Sequence, residues 1–146
     1  MVTKSPRETR ETRSFSAPKA LLHGVGRRKS SVARVWLKPG KGSIEINGKD
    51  YVKYFDTDLS RGKITFPFKV TNLERSFDVN VNVFGGGLKS QSEAVRLGIA
   101  RAILKMNDAL KPALKKHGLL TVDSRLKERK KYGQKAARRR FQFVKR

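Results

Sequence analysis

A run of like charge closes this chain. From Arg125 to Arg146, twenty-two residues carry eleven Lys or Arg against one acid, Glu128. Cations at that density repel one another, and the segment offers too little apolar surface to offset the entropy lost on ordering. It cannot supply a core of its own, so whatever folds must fold upstream of it. Such a segment needs a polyanion to settle against, and nucleic acid carries phosphates densely enough to match it.

The remaining charge is uneven. Residues 1–20 carry five basic and two acidic groups, and residues 21–124 carry nineteen and nine, within a 146-residue chain of formal charge +23. Most of the Val, Ile, Leu and Phe lie in that middle stretch. The expected organisation is a disordered arm over 1–20, one α+β body over 21–124 and an extended basic tail over 125–146. The body is itself basic, so it should meet the partner as well. Cysteine is absent, which excludes disulfides and thiolate chemistry. No apolar run approaches the ~20 residues a bilayer span needs, and no apolar signal region follows Met1, so no membrane partner is expected. The opening segment is rich in Arg, Ser and Thr yet holds Glu8 and Glu11, unlike acid-poor organelle-targeting segments.

Along the body, Val32–Leu37 has the β-branched and aromatic content of a strand, with Arg34 on its basic side. Pro39–Gly42 is a turn, Ser43–Ile46 alternates as a half-buried strand, and Asn47-Gly48 turns again. Asp50–Phe55 fits a short helix packing Tyr51, Tyr54 and Phe55 inward, while Lys63–Leu73, which contains Pro67, gives no clear pattern. Phe77–Val83 is the cleanest strand, with valines at period two and Asn80 and Asn82 on the other face. Gly85–Gly87 end it. Ser90 and Glu93 then have capping-box spacing before a helix over Ala94–Met106, whose apolar stripe is Val95, Ile99, Ala102, Ile103 and Met106. Arg96 lies off that stripe, and Arg101 and Lys105 share a solvent or ligand face. A further helix is expected over Asp108–His117 with Gly118 as its left-handed stop.

Several motifs point towards phosphate. In Gly24-Val25-Gly26-Arg27-Arg28-Lys29-Ser30-Ser31, glycines beside three cations let backbone approach an anion closely, although the spacing is not that of a nucleotide-binding P-loop. An ordinary solvated turn before a strand is the competing interpretation. Gly85–Gly87 and the following helix start form a natural anion site, against the plainer need for steep backbone geometry between strand and helix. In the tail, Tyr132, Phe141 and Phe143 among the cations offer stacking surfaces for exposed bases. His23 and His117 lack partners at metal-ligand spacing, and the carboxylates are scattered, so neither a metal site nor an acid–base pair is expected.

Four segments, GVGRRKSSVARVWLKPGKGSIEING, FDVNVNVFGGG, SEAVRLGIARAIL and ERKKYGQKAARRRFQFVKR, together resemble the small-subunit ribosomal protein uS9 family in its bacterial or organellar form, over about residues 22–146. The resemblance implies an α+β fold with a left-handed βαβ crossover like that of the second domain of ribosomal protein uS5, against the usual right-handed rule. It implies no enzyme activity, no cofactor and no small-molecule substrate. It places the protein in the head of the small subunit of a cytoplasmic or organellar ribosome, with small-subunit rRNA, peptidyl-site tRNA and neighbouring head proteins as partners. The rRNA contacts would come from Arg27, Arg28, Lys29, Arg34, Gly85, Gly86, Gly87, Lys89 and Gln91 in the body. In the tail they would come from Arg125, Arg129, Lys130, Lys131, Lys135, Arg138, Arg139 and Arg140, with Lys145 and Arg146 reaching the tRNA anticodon stem-loop backbone. The chain departs from the family pattern at Ser90, where glycine is usual, at Phe141, where proline is common, and at Val144, where serine is common.

Two other functions are weighed against this one. An architectural DNA-compacting protein needs a minor-groove wedge or a dimeric wrap, and neither is evident. A small phosphotransferase, whose sugar-kinase relatives share the superfamily fold, needs a complete phosphate loop and metal-binding carboxylates.

Overall fold

The computed structural model describes residues 22–143. The assignments made for residues 1–20, and for Val144, Lys145 and Arg146, lie outside the described residues.

Five strands form one mixed sheet in the order β1-β2-β5-β3-β4. They are β1 (Leu22–Arg28), β2 (Ser31–Pro39), β3 (Ile44–Ile46), β4 (Lys49–Asp50) and β5 (Phe77–Phe84). All neighbouring pairs are antiparallel except β3 with β5. That parallel pair needs a crossover, and α1 (Tyr51–Tyr54) and α2 (Asp58–Thr71) lie in it. After β5 come α3 (Leu88–Met106), a 3₁₀ turn at Asp108–Leu110 and α4 (Lys111–Lys116). The α+β class expected from the sequence is therefore the observed one.

Period-two alternation sets the two faces. Ser31, Ala33, Val35 and Leu37 of β2 and Val79, Val81 and Val83 of β5 are buried. They meet α3, whose buried residues include Ala94, Val95, Ile99, Ala102 and Ile103. Four stripe positions behave as expected, but Met106 is 39% exposed because the helix ends there. Phe55, Ile64 and Leu114 seal the remaining side of the core.

The turns follow local chemistry. Asn47 and Gly48 both take positive φ, 51° and 75°, as a two-residue hairpin turn requires. The Asn47 side chain also completes a ladder with Val83, its amide donating to the carbonyl and its oxygen accepting from the N–H, both at 2.9 Å. Asp78 Oδ1 accepts from the backbone N–H groups of Ser43, Lys41 and Gly42 at 2.9–3.0 Å, closing the turn after β2. Those bonds, Ser43's foremost, hold its carboxyl below the ordinary carboxylate value. Gly118 (φ 64°) ends α4 with the Leu119 N–H on the Leu114 carbonyl at 3.0 Å, as expected of a glycine stop.

Three local expectations change. The stretch left unread, Lys63–Leu73, belongs largely to α2, with Pro67 buried inside the helix. The Gly24–Ser31 motif, weighed as a phosphate approach or a solvated turn, forms most of β1 and its hairpin turn. A methyl at Gly24 or Gly26 would run into the backbone of α3, at Gly98 and Ala102 or at Ala94 and Gly98. Those glycines are required so that strand and helix can touch. The expected Ser90–Glu93 capping box is also displaced. α3 starts two residues before Ser90 with Gly87 as N-cap, and the Ser90 hydroxyl accepts from the Gly87 N–H at 3.1 Å.

Candidate nucleic-acid interface

The rim above α3 is built by the β1–β2 turn, the glycine segment and the first turn of the helix. Gly85 and Gly86 take φ of 75° and 64°, and side chains there would strike the Ser30 carbonyl or the Ser31 and Ser90 hydroxyls. Gly87 has open space around it. Steep backbone geometry thus accounts for two of the three glycines. Ser31 Oγ donates to the Gly85 carbonyl at 2.9 Å and lies 2.7 Å from Ser90 Oγ. The departure at Ser90 is therefore absorbed inside the loop, where its hydroxyl ties the turn to the helix. Lys29 and Lys89 stand exposed beside this rim, in a concavity they share with Ser30, Gly86 and Gly87.

Beside the rim lies an ionic cluster that fixes where the tail leaves the body. Arg28 Nε donates to Glu93 Oε2 at 2.7 Å, and its Nη1 donates to the carbonyls of Asp123 and Arg125, both at 3.0 Å. Its Nη2 pairs with Asp123 Oδ2 at 3.1 Å. Lys63 takes the other Glu93 oxygen at 2.7 Å. Burial pushes the Glu93 carboxyl up, but the hydrogen bonds from Lys63 and Arg28 outweigh it and hold the group below its ordinary value. The Asp123 carboxyl is held down to about 2, first by the Arg125 side chain and then by its backbone N–H. One arginine thus joins β1, α3 and the root of the tail.

Beyond Leu120 the described chain forms neither helix nor strand apart from an isolated bridge between Gln134 and Arg140. The Lys135 N–H also reaches the Arg139 carbonyl at 2.8 Å, and Lys135 Nζ lies 5.6 Å from the Phe141 ring centre. Glu128 takes two bonds from Arg138, one of them 3.0 Å from Nε, which holds its carboxyl below the ordinary value. Tyr132 and Phe143 are 95% and 99% exposed.

The expected contact residues fall into two groups. Arg27, Lys29, Arg34 and Lys89 are exposed in the body, as are Arg129, Lys130, Lys131, Lys135, Arg139 and Arg140 in the tail. None of these ten has an ion-pair partner among the described residues. Arg28, Arg125 and Arg138 are committed to carboxylates within the chain. Gln91 belongs to neither group. It is buried, its Oε1 accepts from the Tyr54 hydroxyl at 2.9 Å and its Nε2 donates to the Gly85 carbonyl at 3.1 Å, so it braces the rim and has no free polar end. Sequence reasoning missed Glu93 and Asp123 as anchors, because their partner Arg28 is 65 and 95 residues away along the chain. Arg101, expected with Lys105 on a solvent or ligand face, is partly buried and donates to the Val25 carbonyl of β1 at 2.8 Å.

Known proteins match this sequence over most of its length. A family model for ribosomal protein S9/S16 matches residues 26–146. The small ribosomal subunit protein uS9 of Cytophaga hutchinsonii is 52% identical over 126 residues, covering 86% of this chain and 98% of the relative. Its counterpart in Christiangramia forsetii is 49% identical over the same shares. That of Chlorobium limicola is 49% identical over 128 residues, 88% of this chain and 99% of the relative. The match takes in β1 from Gly26, the glycine rim, the Arg28 cluster and the entire tail: the chain belongs to the ribosomal protein S9/S16 family.

Proposed function

We propose that this chain is a non-enzymatic structural component of the small ribosomal subunit in the cytoplasmic ribosome. It binds small-subunit rRNA in the head, beside neighbouring head proteins, and carries its C-terminal tail towards peptidyl-site tRNA. Support comes above all from how the structure sorts the cations. Ten arginines and lysines on the rim, the sheet and the tail are exposed and unpaired among the described residues, while Arg28 fastens the tail root to a rigid body. Unpaired exposed cations can neutralise phosphates and release the counterions condensed on the RNA, so affinity should fall steeply with salt.

A tail leaving from a fixed root also suits a reach across the head. Once the bridge between Gln134 and Arg140 opens, an extended chain from Tyr132 onward spans roughly 45–50 Å at about 3.3 Å per residue. Lys145 and Arg146 would then meet sugar–phosphate groups of the tRNA, contacts that carry no base information and so serve every tRNA alike. The same proposal gives the β3–α2–β5 unit the left-handed crossover of the second domain of uS5. Deleting Lys145 and Arg146 tests it. Subunits should assemble normally and sediment unchanged, while tRNA bound in the peptidyl site dissociates faster. Unaltered tRNA retention in those particles would refute the tail assignment.

A further inference from the structure

The helix that packs on the sheet, α3, covers β1, β2 and β5 from one side only. The opposite face carries the alternate residues, and the strand register puts them in rows. Arg27, Val32 and Phe84 form one row across β1, β2 and β5, and Val25, Arg34 and Asn82 form the next. His23, Trp36, Asn80 and Glu45 form a third. Directly opposed residues have Cβ atoms about 4.5–5.5 Å apart, and successive same-face rows lie about 6.8 Å apart. Phe84 thus has Arg34 as its diagonal neighbour in the next row and Arg27 beyond Val32 in its own.

Both guanidiniums and the ring are exposed, Phe84 by 56%. The acids of this face lie elsewhere. Glu45 and Asp50 sit opposite each other on β3 and β4, and Asp78 is occupied by three backbone amides at the far end of β2 and β5. The Phe84 corner is thus cationic and adjoins Lys29 and Lys89 of the rim. His23 stacks against Trp36 with ring centres 5.3 Å apart, steadying a second aromatic two rows away.

We propose that this open face binds an unpaired stretch of RNA. A base stacks on Phe84, Arg27 and Arg34 take the flanking phosphates, and the Asn80 and Asn82 amides face base edges. Flat sheets with exposed aromatics hold splayed single-stranded bases in this way, stacking supplying affinity and cations supplying phosphate contacts. A protein partner would have to bring acids to match two guanidiniums that have no carboxylate partner among the described residues, whereas RNA brings a phosphate at every nucleotide. The inference rests on the ribosomal RNA-binding proposal and deepens it by naming a surface, an RNA form and the residue that stacks.

The chain's one tryptophan, Trp36, lies on this face and so reports on it alone. The full chain is titrated with a uridylate oligonucleotide of about 12 nucleotides, within the site sizes of single-strand binders, and with duplex RNA of equal length. Anisotropy follows total binding and tryptophan emission follows the face. The single strand should quench Trp36 and the duplex should not. Phe84→Leu, and separately Arg27→Gln with Arg34→Gln, should each weaken the quenching midpoint about tenfold, near the value of one stacked base. Neutralising Arg139 and Arg140 in the tail should lower total affinity without changing the quench. RNA that binds by anisotropy yet leaves Trp36 emission unchanged would overturn the surface and spare the RNA-binding proposal. Emission that responds only to added small-subunit proteins would assign the face to a protein and overturn it equally. Loss of all RNA binding in the parent chain would instead strike the proposed function itself.

Discussion

Gly26→Ala separates two jobs that a glycine beside three cations can do. If Gly26 lets the backbone approach a phosphate, a methyl there should weaken RNA binding and leave folding intact. If it lets β1 touch α3, the methyl should damage folding before any RNA is added. The geometry favours the second. An added Cβ would strike the Ala94 carbonyl oxygen and lie 2.6 Å from Gly98 N and 2.9 Å from Ala94 C. All three are backbone atoms of α3, which cannot turn aside as a side chain can. The helix must back away from a strand it contacts along much of its length, loosening the burial of Ala94, Val95 and Gly98. Overpacking costs 1–3 kcal/mol in general, and a backbone-to-backbone collision belongs at the upper end, about 3 kcal/mol. Against a total stability of about 5–15 kcal/mol that is a large share. At roughly 4–8 °C per kcal/mol for a body of this size, Tm should fall by roughly 12–24 °C. Far-UV circular dichroism of the RNA-free chain measures it. Gly62→Ala is the internal control, since Gly62 lies in α2 with nothing within 4 Å of the added methyl, and Ala there should raise Tm slightly. A Gly26→Ala protein that melts with the parent but binds RNA weakly would refute the packing argument.

The Arg28 cluster yields two further expectations. Arg28→Met removes the bonds to Glu93, Asp123 and Arg125, while Lys63 still holds Glu93. The Arg28–Glu93 loss should therefore stay below that of an orphaned buried charge, about 2 kcal/mol, and limited trypsin digestion should cut at the tail root faster; equal cleavage rates would refute the clamp. Because the Glu93 carboxyl is depressed in the fold, its stabilisation is complete above its unfolded value of 4.5 and is lost as pH falls through the folded value. Urea midpoints should be level from neutral pH down to about 5 and then drop, and Glu93→Gln should flatten the first part of that drop. Asp123, held to about 2, extends the loss below 3.8.

How much of this was legible in the sequence depends on how far apart the causes lie. β5 announces itself because Val79, Val81 and Val83 alternate with Asn80 and Asn82, and both faces are decided locally. The short helix after Asp50 and the stop at Gly118 are also local, each needing only its cap. α2 stayed hidden because its buried face, Ser60, Ile64, Pro67, Phe68 and Thr71, mixes small polar residues with a proline. No apolar stripe survives that mixture, although the Thr71 hydroxyl helps by donating to the Pro67 carbonyl at 2.9 Å. β1 gave no strand signal because its two glycines carry no side chain to alternate, and the small residues Ala94, Gly98 and Ala102 that they pack against lie some seventy positions away. The cations proposed to meet phosphate were recognisable as a class from charge alone. Which of them are free was not, because that depends on where the carboxylates end up.

Those few carboxylates do the sorting. The chain has 12 acids for 35 strong bases, so most cations must go unpaired whatever the fold. Among the described residues, four acids form all the ion pairs: Asp58 with Arg61, Glu93 with Arg28 and Lys63, Asp123 with Arg28 and Arg125, and Glu128 with Arg138. Two of those four pin a structural joint, the contact of α2, α3 and β1 and the tail root, while Asp58 pairs locally within the first turn of α2. The fourth, Glu128, closes a local loop within the tail. An acid placed at a joint both stabilises it and withdraws its cation from the partner; the cations of the rim, the open sheet and the tail stay unpaired among the described residues, as do those on the helices, Lys53, Lys69 and Lys116 among them. Scattering the same acids over those surfaces would preserve net charge while cancelling the local field that attracts phosphate. The scarcity of acids sets the charge of the protein, and their placement sets where that charge can be used.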